Sequence, residues 1–174
     1  MFTNAAIFCA RWQPGAPTAP RDSNYGAGHG FVGQRILKKG FTSDYQDDII
    51  GNEVRIGKNC HIFPNVVIGD RTIIGDNVII QANTVLGGDA FYYRKLNGNF
   101  DRLISVGNVI IENNVEIGNG CTIDRGVTDP TIIGEGSVLD NQIQIGHDTI
   151  IGKRCLIASQ TGIAGCCIIE DDVT

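Results

Sequence analysis

Residues 133–174 read IGEGSVLDNQIQIGHDTIIGKRCLIASQTGIAGCCIIEDDVT, and in sixes from Ile133 they give IGEGSV, LDNQIQ, IGHDTI, IGKRCL, IASQTG, IAGCCI and IEDDVT. Each hexad opens with Ile or Leu. Each fifth residue is small or β-branched: Ser137, Ile143, Thr149, Cys155, Thr161, Cys167 and Val173. A fixed short period over this length marks a repeat architecture, which takes precedence over any helix or strand assignment.

The same period extends toward the N-terminus. Ile50 to Phe91 reads IGNEVR, IGKNCH, IFPNVV, IGDRTI, IGDNVI, IQANTV, LGGDAF, and Ile111 to Thr128 reads IENNVE, IGNGCT, IDRGVT. Two interruptions separate these runs: Tyr92 to Ile110, expected to form a protruding loop over about 92–107, and a four-residue insertion from Asp129 to Ile132. Position one is Ile or Leu in all seventeen hexads, and position two is often Gly.

Two inward positions per six residues, one large and aliphatic and one small or β-branched, describe a short strand followed by a sharp corner. Gly and Asn supply the backbone angles that corners need. Three such strands close a triangular coil of about eighteen residues, and stacked coils pair as parallel sheets. Seventeen hexads make between five and six coils. Apolar spacing of three and four, which an amphipathic helix would require, is absent. The expectation is an all-β parallel β-helix domain over 49–174. Residues 1–48 do not fit the repeat: QPGAPTAPRDSNYGAGHG is rich in Pro and Gly, and the segment reads as a poorly ordered extension. His29 within it reads as a loop histidine.

The totals exclude several classes. Net charge is -5 with scattered basic residues, so there is no electrostatic footprint for nucleic acid. No apolar run approaches a membrane span and no signal peptide is evident, so the chain reads as cytoplasmic. Cys60, Cys121, Cys155 and Cys167 fall at the fifth hexad position, as expected of reduced packing residues rather than disulfides. No cysteine spacing resembles a zinc site, and no metal is expected.

One polar residue in the spine carries chemical interest. His147 is position three of its hexad. Gly165 lies eighteen residues on, and Arg125 lies one coil below once the four-residue insertion is allowed for. Arg125, His147 and Gly165 should therefore stack at one corner, about 5 Å per step. A neutral imidazole titrates near 6.5 and can act as a general base. A glycine above it lets a backbone N–H approach a ligand and stabilise a developing oxyanion. Two carboxylates could orient the ring, the adjacent Asp148 or Asp140 seven residues earlier; spacing alone does not choose between them.

From about residue 50 to the end, the chain resembles the hexapeptide-repeat acyltransferases of lipid A synthesis, in particular the UDP-3-O-(3-hydroxyacyl)glucosamine N-acyltransferases. The likeness rests on TIDRG at 122–126, LDNQIQIGH at 139–147 and GGDAFYYRK at 87–95, the last in a form associated with Bacteroidetes. It implies a left-handed coil, a homotrimer with sites between subunits, and no cofactor beyond the donor. That donor would be a 3-hydroxyacyl thioester on the phosphopantetheine of acyl carrier protein, and the acceptor the 2-amine of a UDP-3-O-acylglucosamine. Carried over motif by motif, it makes His147 the general base, Asp140 its supporting carboxylate, Gly165 the oxyanion donor and Asn141 a donor or substrate contact. Arg125 and Phe91, within TIDRG and GGDAF, become candidate substrate contacts. Residues 1–48 do not resemble the family's uridine-binding domain, and the family continues with further coils past the equivalent of Thr174, so the chain reads as a fragment. Rival readings on the same scaffold are an O-acyltransferase of the same pathway, a sugar-nucleotide N-acetyltransferase using acetyl-CoA, and a non-catalytic β-helix. A carbonic anhydrase of this fold would need three histidines at an interface, and only His61 and His147 lie in the repeat.

Overall fold

The computed structural model describes residues 48–174 together with the short strands Phe31–Val32, Leu37–Lys38 and Thr42–Ser43. Its strands, mostly two residues long, stack into three parallel sheets. The first sheet orders Phe31–Val32, Ile49–Ile50, Val67–Ile68, Val85–Gly88, Thr122–Asp124, Gln144–Ile145 and Gly162–Ile163. The second runs from Leu37–Lys38 through Arg55–Ile56, Ile73–Ile74, Val109–Ile111, Thr131–Ile133 and Ile150–Ile151 to Ile168–Ile169. The third has six strands, from Thr42–Ser43 to Leu156–Ile157. The chain visits the sheets in rotation, so each coil contributes one strand to each face of a three-sided prism.

Register follows the hexads. Ile50 pairs with Ile68, and Ile145 with Ile163, each a step of eighteen residues. Leu86 pairs with Ile123 and Ile123 with Ile145, so the ladder continues across both interruptions, with a register shift between Leu86 and Gly88 where the longer one leaves. Pairing also reaches back beyond the legible hexads: Phe31↔Ile49, Leu37↔Arg55 and Thr42↔His61 add strands below residue 49. The rest of 1–47, including Cys9 and His29, lies outside the described residues.

Position one fills the prism. Ile68, Ile80, Leu86, Ile117, Ile133, Ile145 and Ile151 are all fully buried, alongside position-five residues such as Val54, Val66, Val78 and Cys121. Each large aliphatic contributes roughly 1.5–3 kcal/mol relative to exposure. Cys60, Cys121 and Cys155 are buried free thiols, each directed at a carbonyl on the neighbouring coil (Gly75, Asp140 and Glu170).

The corners have their own rule. Position four takes the left-handed conformation in nearly every hexad, at Asn59, Asn65, Asn77, Asn83 and Asn114 among others. Asn tolerates this region better than most residues. An Asp or Asn at position three accepts the backbone N–H of the residue one coil below: Asp70 from Asn52, Asp76 from Lys58, Asn113 from Asp76, Asn141 from Asn119 and Asp171 from Lys153. These five corner side chains are thus structural caps. Among the described residues no helix is long and apolar enough to cross a membrane.

Candidate active site

Both interruptions of the repeat occur at the same corner of the prism, between the first sheet and the second. The longer insertion leaves after Val85–Gly88 and returns at Val109–Ile111; the shorter lies between Thr122–Asp124 and Thr131–Ile133. His147 and Asp148 occupy that corner on the next coil, and Gly165 and Cys166 on the one above. Everything irregular in the solenoid therefore converges on the column that contains His147.

The four-residue insertion forms a seat for a carboxylate. The turn that leads into it directs the amides of Val127, Thr128 and Asp129 onto Asp148, at 2.9, 3.3 and 3.1 Å. Gly126 fits beneath because a Cβ there would strike the Asp129 carbonyl and the Asp148 carboxylate. The remaining partner of Asp148 is the ring: His147 Nδ1 lies 2.7 Å from Asp148 Oδ2, with both side chains about 15% exposed. Burial works against the charge on Asp148. The amide of Val127, the His147 ring and the amides of Asp129 and Thr128 outweigh it and hold the carboxyl below the usual carboxylate range. An ionised carboxylate only accepts, so Nδ1 donates its proton to Asp148, and whenever the ring is neutral its lone pair is on Nε2.

The carboxylate at the ring is thus Asp148, not Asp140. Asp140 follows Val138–Leu139 in the third sheet, at a different corner, where Asp140 Oδ1 accepts the amide and side-chain N–H of Asn141 at 2.7 and 2.9 Å. Asn141 is a position-three cap whose Oδ1 receives the N–H and Nδ2–H of Asn119. Within one chain the pair Asp140–Asn141 stands a prism face away from His147.

Gly165 sits directly over the imidazole. A Cβ built there would lie 2.6 Å from Nε2, 2.7 Å from Cε1 and 2.8 Å from Cδ2 of His147. At this corner the column departs from the usual Asp or Asn cap: the side chain above is missing, and the ring occupies its space. Arg125 lies beneath His147 as the stacking requires, but its guanidinium turns down the column. Its Nε donates to the Gly87 carbonyl at 2.9 Å, and its Nη2 would lie 3.0 Å from a Cβ on Gly69.

The long insertion is a hairpin of Tyr93–Leu96 and Asn99–Arg102, turned by Asn97 and Gly98, both at positive φ. Its base brings Tyr92 edge-on to the His147 ring, with centroids 5.5 Å apart. Phe91 is instead 82% exposed and stacks edge-on with Tyr93. Tyr92, which the repeat pattern does not single out, is thus the aromatic against the ring. Asp124, one position before Arg125, receives Gln144 Nε2 at 3.2 Å; burial pushes its carboxyl up, opposed first by the charge of His147. Gln144 Oε1 in turn accepts a short hydrogen bond from the Thr122 hydroxyl.

A three-sided parallel solenoid of hexads is the architecture expected of hexapeptide-repeat proteins. The family model for the bacterial transferase hexapeptide (six repeats) matches residues 49–88 and 130–165. More particularly, the chain is similar to UDP-3-O-acylglucosamine N-acyltransferases. It is 49% identical to that of Rhizobium johnstonii over 80 residues, 46% of this chain and 23% of the relative. It is 42% identical to that of Rhodopseudomonas palustris over 131 residues, 75% of this chain and 30% of the relative. Aligned stretches thus span less than a third of these relatives' length. Among solved structures, the UDP-N-acetylglucosamine acyltransferase of Francisella novicida superposes with a TM-score of 0.67 at 26% identity, covering 84% of this chain and 50% of that one.

Proposed function

We propose that this corner performs N-acyl transfer from a 3-hydroxyacyl thioester of acyl carrier protein to the 2-amine of a UDP-3-O-acylglucosamine. The observation that carries the reading is the imidazole held at Nδ1 by Asp148 with Nε2 facing the space under Gly165. His147 accepts a proton from the sugar amine through Nε2 as the nitrogen attacks the thioester carbon. The seated carboxylate of Asp148 balances the imidazolium that forms, a role that orients the ring and does not require proton transfer to the carboxylate. The oxyanion of the tetrahedral intermediate is held by a backbone donor, for which the N–H of Gly165 is the candidate. The C–S bond then breaks, the carrier thiolate takes the proton from His147, and the amide is released.

The names of the relatives supply the acceptor, and the resemblance supplies the carrier protein, the homotrimer and the cytoplasmic setting. A trimer gives Asp140 and Asn141 a route to a site, because a neighbouring subunit can present a corner that the same chain cannot. The hairpin bearing Phe91, Tyr92 and Phe100 is suited to bind apolar portions of substrate or partner, since Phe91 and Phe100 are both more than 75% exposed.

The superposition on a UDP-N-acetylglucosamine acyltransferase supports a second reading, O-acylation of a sugar hydroxyl. One assay separates them. Hydroxyacyl carrier protein and acetyl-CoA are each offered with UDP-sugar amine and hydroxyl acceptors, to the native protein and to His147→Ala. The first reading requires amide formed from the carrier thioester, and a loss of order 10²-fold or more in the variant, as expected for removing a general base. Ester as the sole product assigns the second reading. Equal rates for native protein and variant exclude both.

A further inference from the structure

The column that holds His147 also contains a cysteine that the acyl-transfer chemistry does not use. Asp148 and Cys166 are both position four of their hexads, eighteen residues apart, so they stack on adjacent coils just as His147 and Gly165 do. The Cys166 N–H donates to the His147 carbonyl at 2.8 Å, which ties the two corners together. Cys166 is exposed, in the left-handed conformation at φ 60, and its Sγ stands 4.0 Å from His147 Nδ1. Ligand atoms of His147, Asp148 and Cys166 all lie within 4.8 Å of one another.

We propose that His147, Asp148 and Cys166 form a site for a borderline-soft divalent cation such as Zn2+, and that its occupancy withdraws the basic lone pair from the reaction face of the imidazole. A thiolate, an imidazole and a carboxylate are a zinc donor set, and the combination disfavours Mg2+ and Ca2+, which prefer oxygen. Zn–S of about 2.3 Å and Zn–N of about 2.0–2.1 Å set tetrahedral S and N ligands roughly 3.6 Å apart. The 4.0 Å between Cys166 Sγ and His147 Nδ1 closes to this by a few tenths of an ångström. Asp148 contributes Oδ2, which gives up its hydrogen bond from Nδ1 and also accepts the Val127 amide, while its contacts to Thr128 and Asp129 through Oδ1 need not be broken. Cys166 is exposed, so solvent can supply a fourth ligand.

The consequence follows from the tautomer. Coordination at Nδ1 requires the ring proton to shift from Nδ1 to Nε2, and the Cys166 thiol releases its proton to solvent as it becomes a thiolate ligand. The nitrogen under Gly165 then becomes a donor, and the general base is lost while the metal remains. Binding of the metal is independent of the acyl-transfer reading; only this effect on the base rests on it.

The test reads binding directly. The native chain, Cys166→Ser, Cys167→Ser and His147→Ala are titrated with Zn2+ against a chromogenic chelator, and with Co2+ while thiolate-to-cobalt charge-transfer absorption is recorded. Far-UV circular dichroism verifies that each variant is folded. The expected result is one ion per chain, with a Co2+–thiolate band that Zn2+ displaces and Mg2+ does not. Cys166→Ser and His147→Ala lose the band and at least roughly 10–100-fold in affinity, while Cys167→Ser retains both. A native chain without the band, a band that survives Cys166→Ser, or displacement by Mg2+ overturns the proposal. None of these outcomes depends on whether the protein transfers an acyl chain.

Discussion

Replacing Gly165 with alanine isolates what the missing side chain does. The new Cβ would stand 2.6 Å from His147 Nε2, about 0.8 Å inside the 3.4 Å at which ordinary contact begins. The three nearest atoms are all in the ring, so the ring must give way, yet it is held from the other side at 2.7 Å by Asp148. A shift of that size stretches the Nδ1–carboxylate bond and moves Nε2 from its line of approach. Misplacement of about 1 Å costs on the order of 10²-fold in rate, about 2.7 kcal/mol of barrier. Gly165 is not among the residues at positive φ, so alanine brings no backbone strain, and it gains up to about 1 kcal/mol by restricting the unfolded chain. The expected outcome is therefore a kcat for acyl transfer reduced about 100-fold with a melting temperature close to native. Alanine retains the backbone N–H, so the loss would report the ring and not the oxyanion donor. A variant with kcat within threefold of native would refute the claim that the glycine exists to admit the imidazole.

Asp148→Asn deprives three amides and the ring of a charged acceptor and should lower the rate on the order of 10²–10⁴-fold with a loss of about 1–3 kcal/mol in urea unfolding. Thiol mapping by mass spectrometry should find Cys166 alkylated quickly and Cys60 and Cys121 last, because burial raises both buried thiols and so depletes the reactive thiolate at neutral pH. Ile145→Ala empties a fully buried position-one site between Ile123 and Ile163 and should cost roughly 2–5 kcal/mol by equilibrium denaturation.

The fold was legible because its side-chain period coincides with its backbone period. Ile or Leu at position one and a small residue at position five recur wherever a strand and corner recur, and the four-residue insertion could be subtracted to place Arg125, His147 and Gly165 in one column. Strands below residue 49 were not legible, since Phe31, Leu37 and Thr42 pair through backbone with no aliphatic hexad to announce them. The hairpin had a local signal: Asn97-Gly98 between Leu96 and Asn99 is the sequence of a two-residue turn. The choice of Asp148 over Asp140 needed the structure, because it depends on where an irregular insertion aims the amides of 127–129. Cys166 could have been found by the eighteen-residue step applied to position four as well as position three. Tyr92 could not, because it lies in the interruption, where the period says nothing about neighbours.

The most direct test of the site is the protonation pattern of one ring. Nitrogen-15 NMR of the His147 imidazole, above its titration and in the absence of divalent metal, should show Nδ1 protonated and Nε2 bare, with the preference weakened in Asp148→Asn. An Nε2-protonated ring in the native protein, or a pattern indifferent to Asp148, would contradict a general base oriented by that carboxylate.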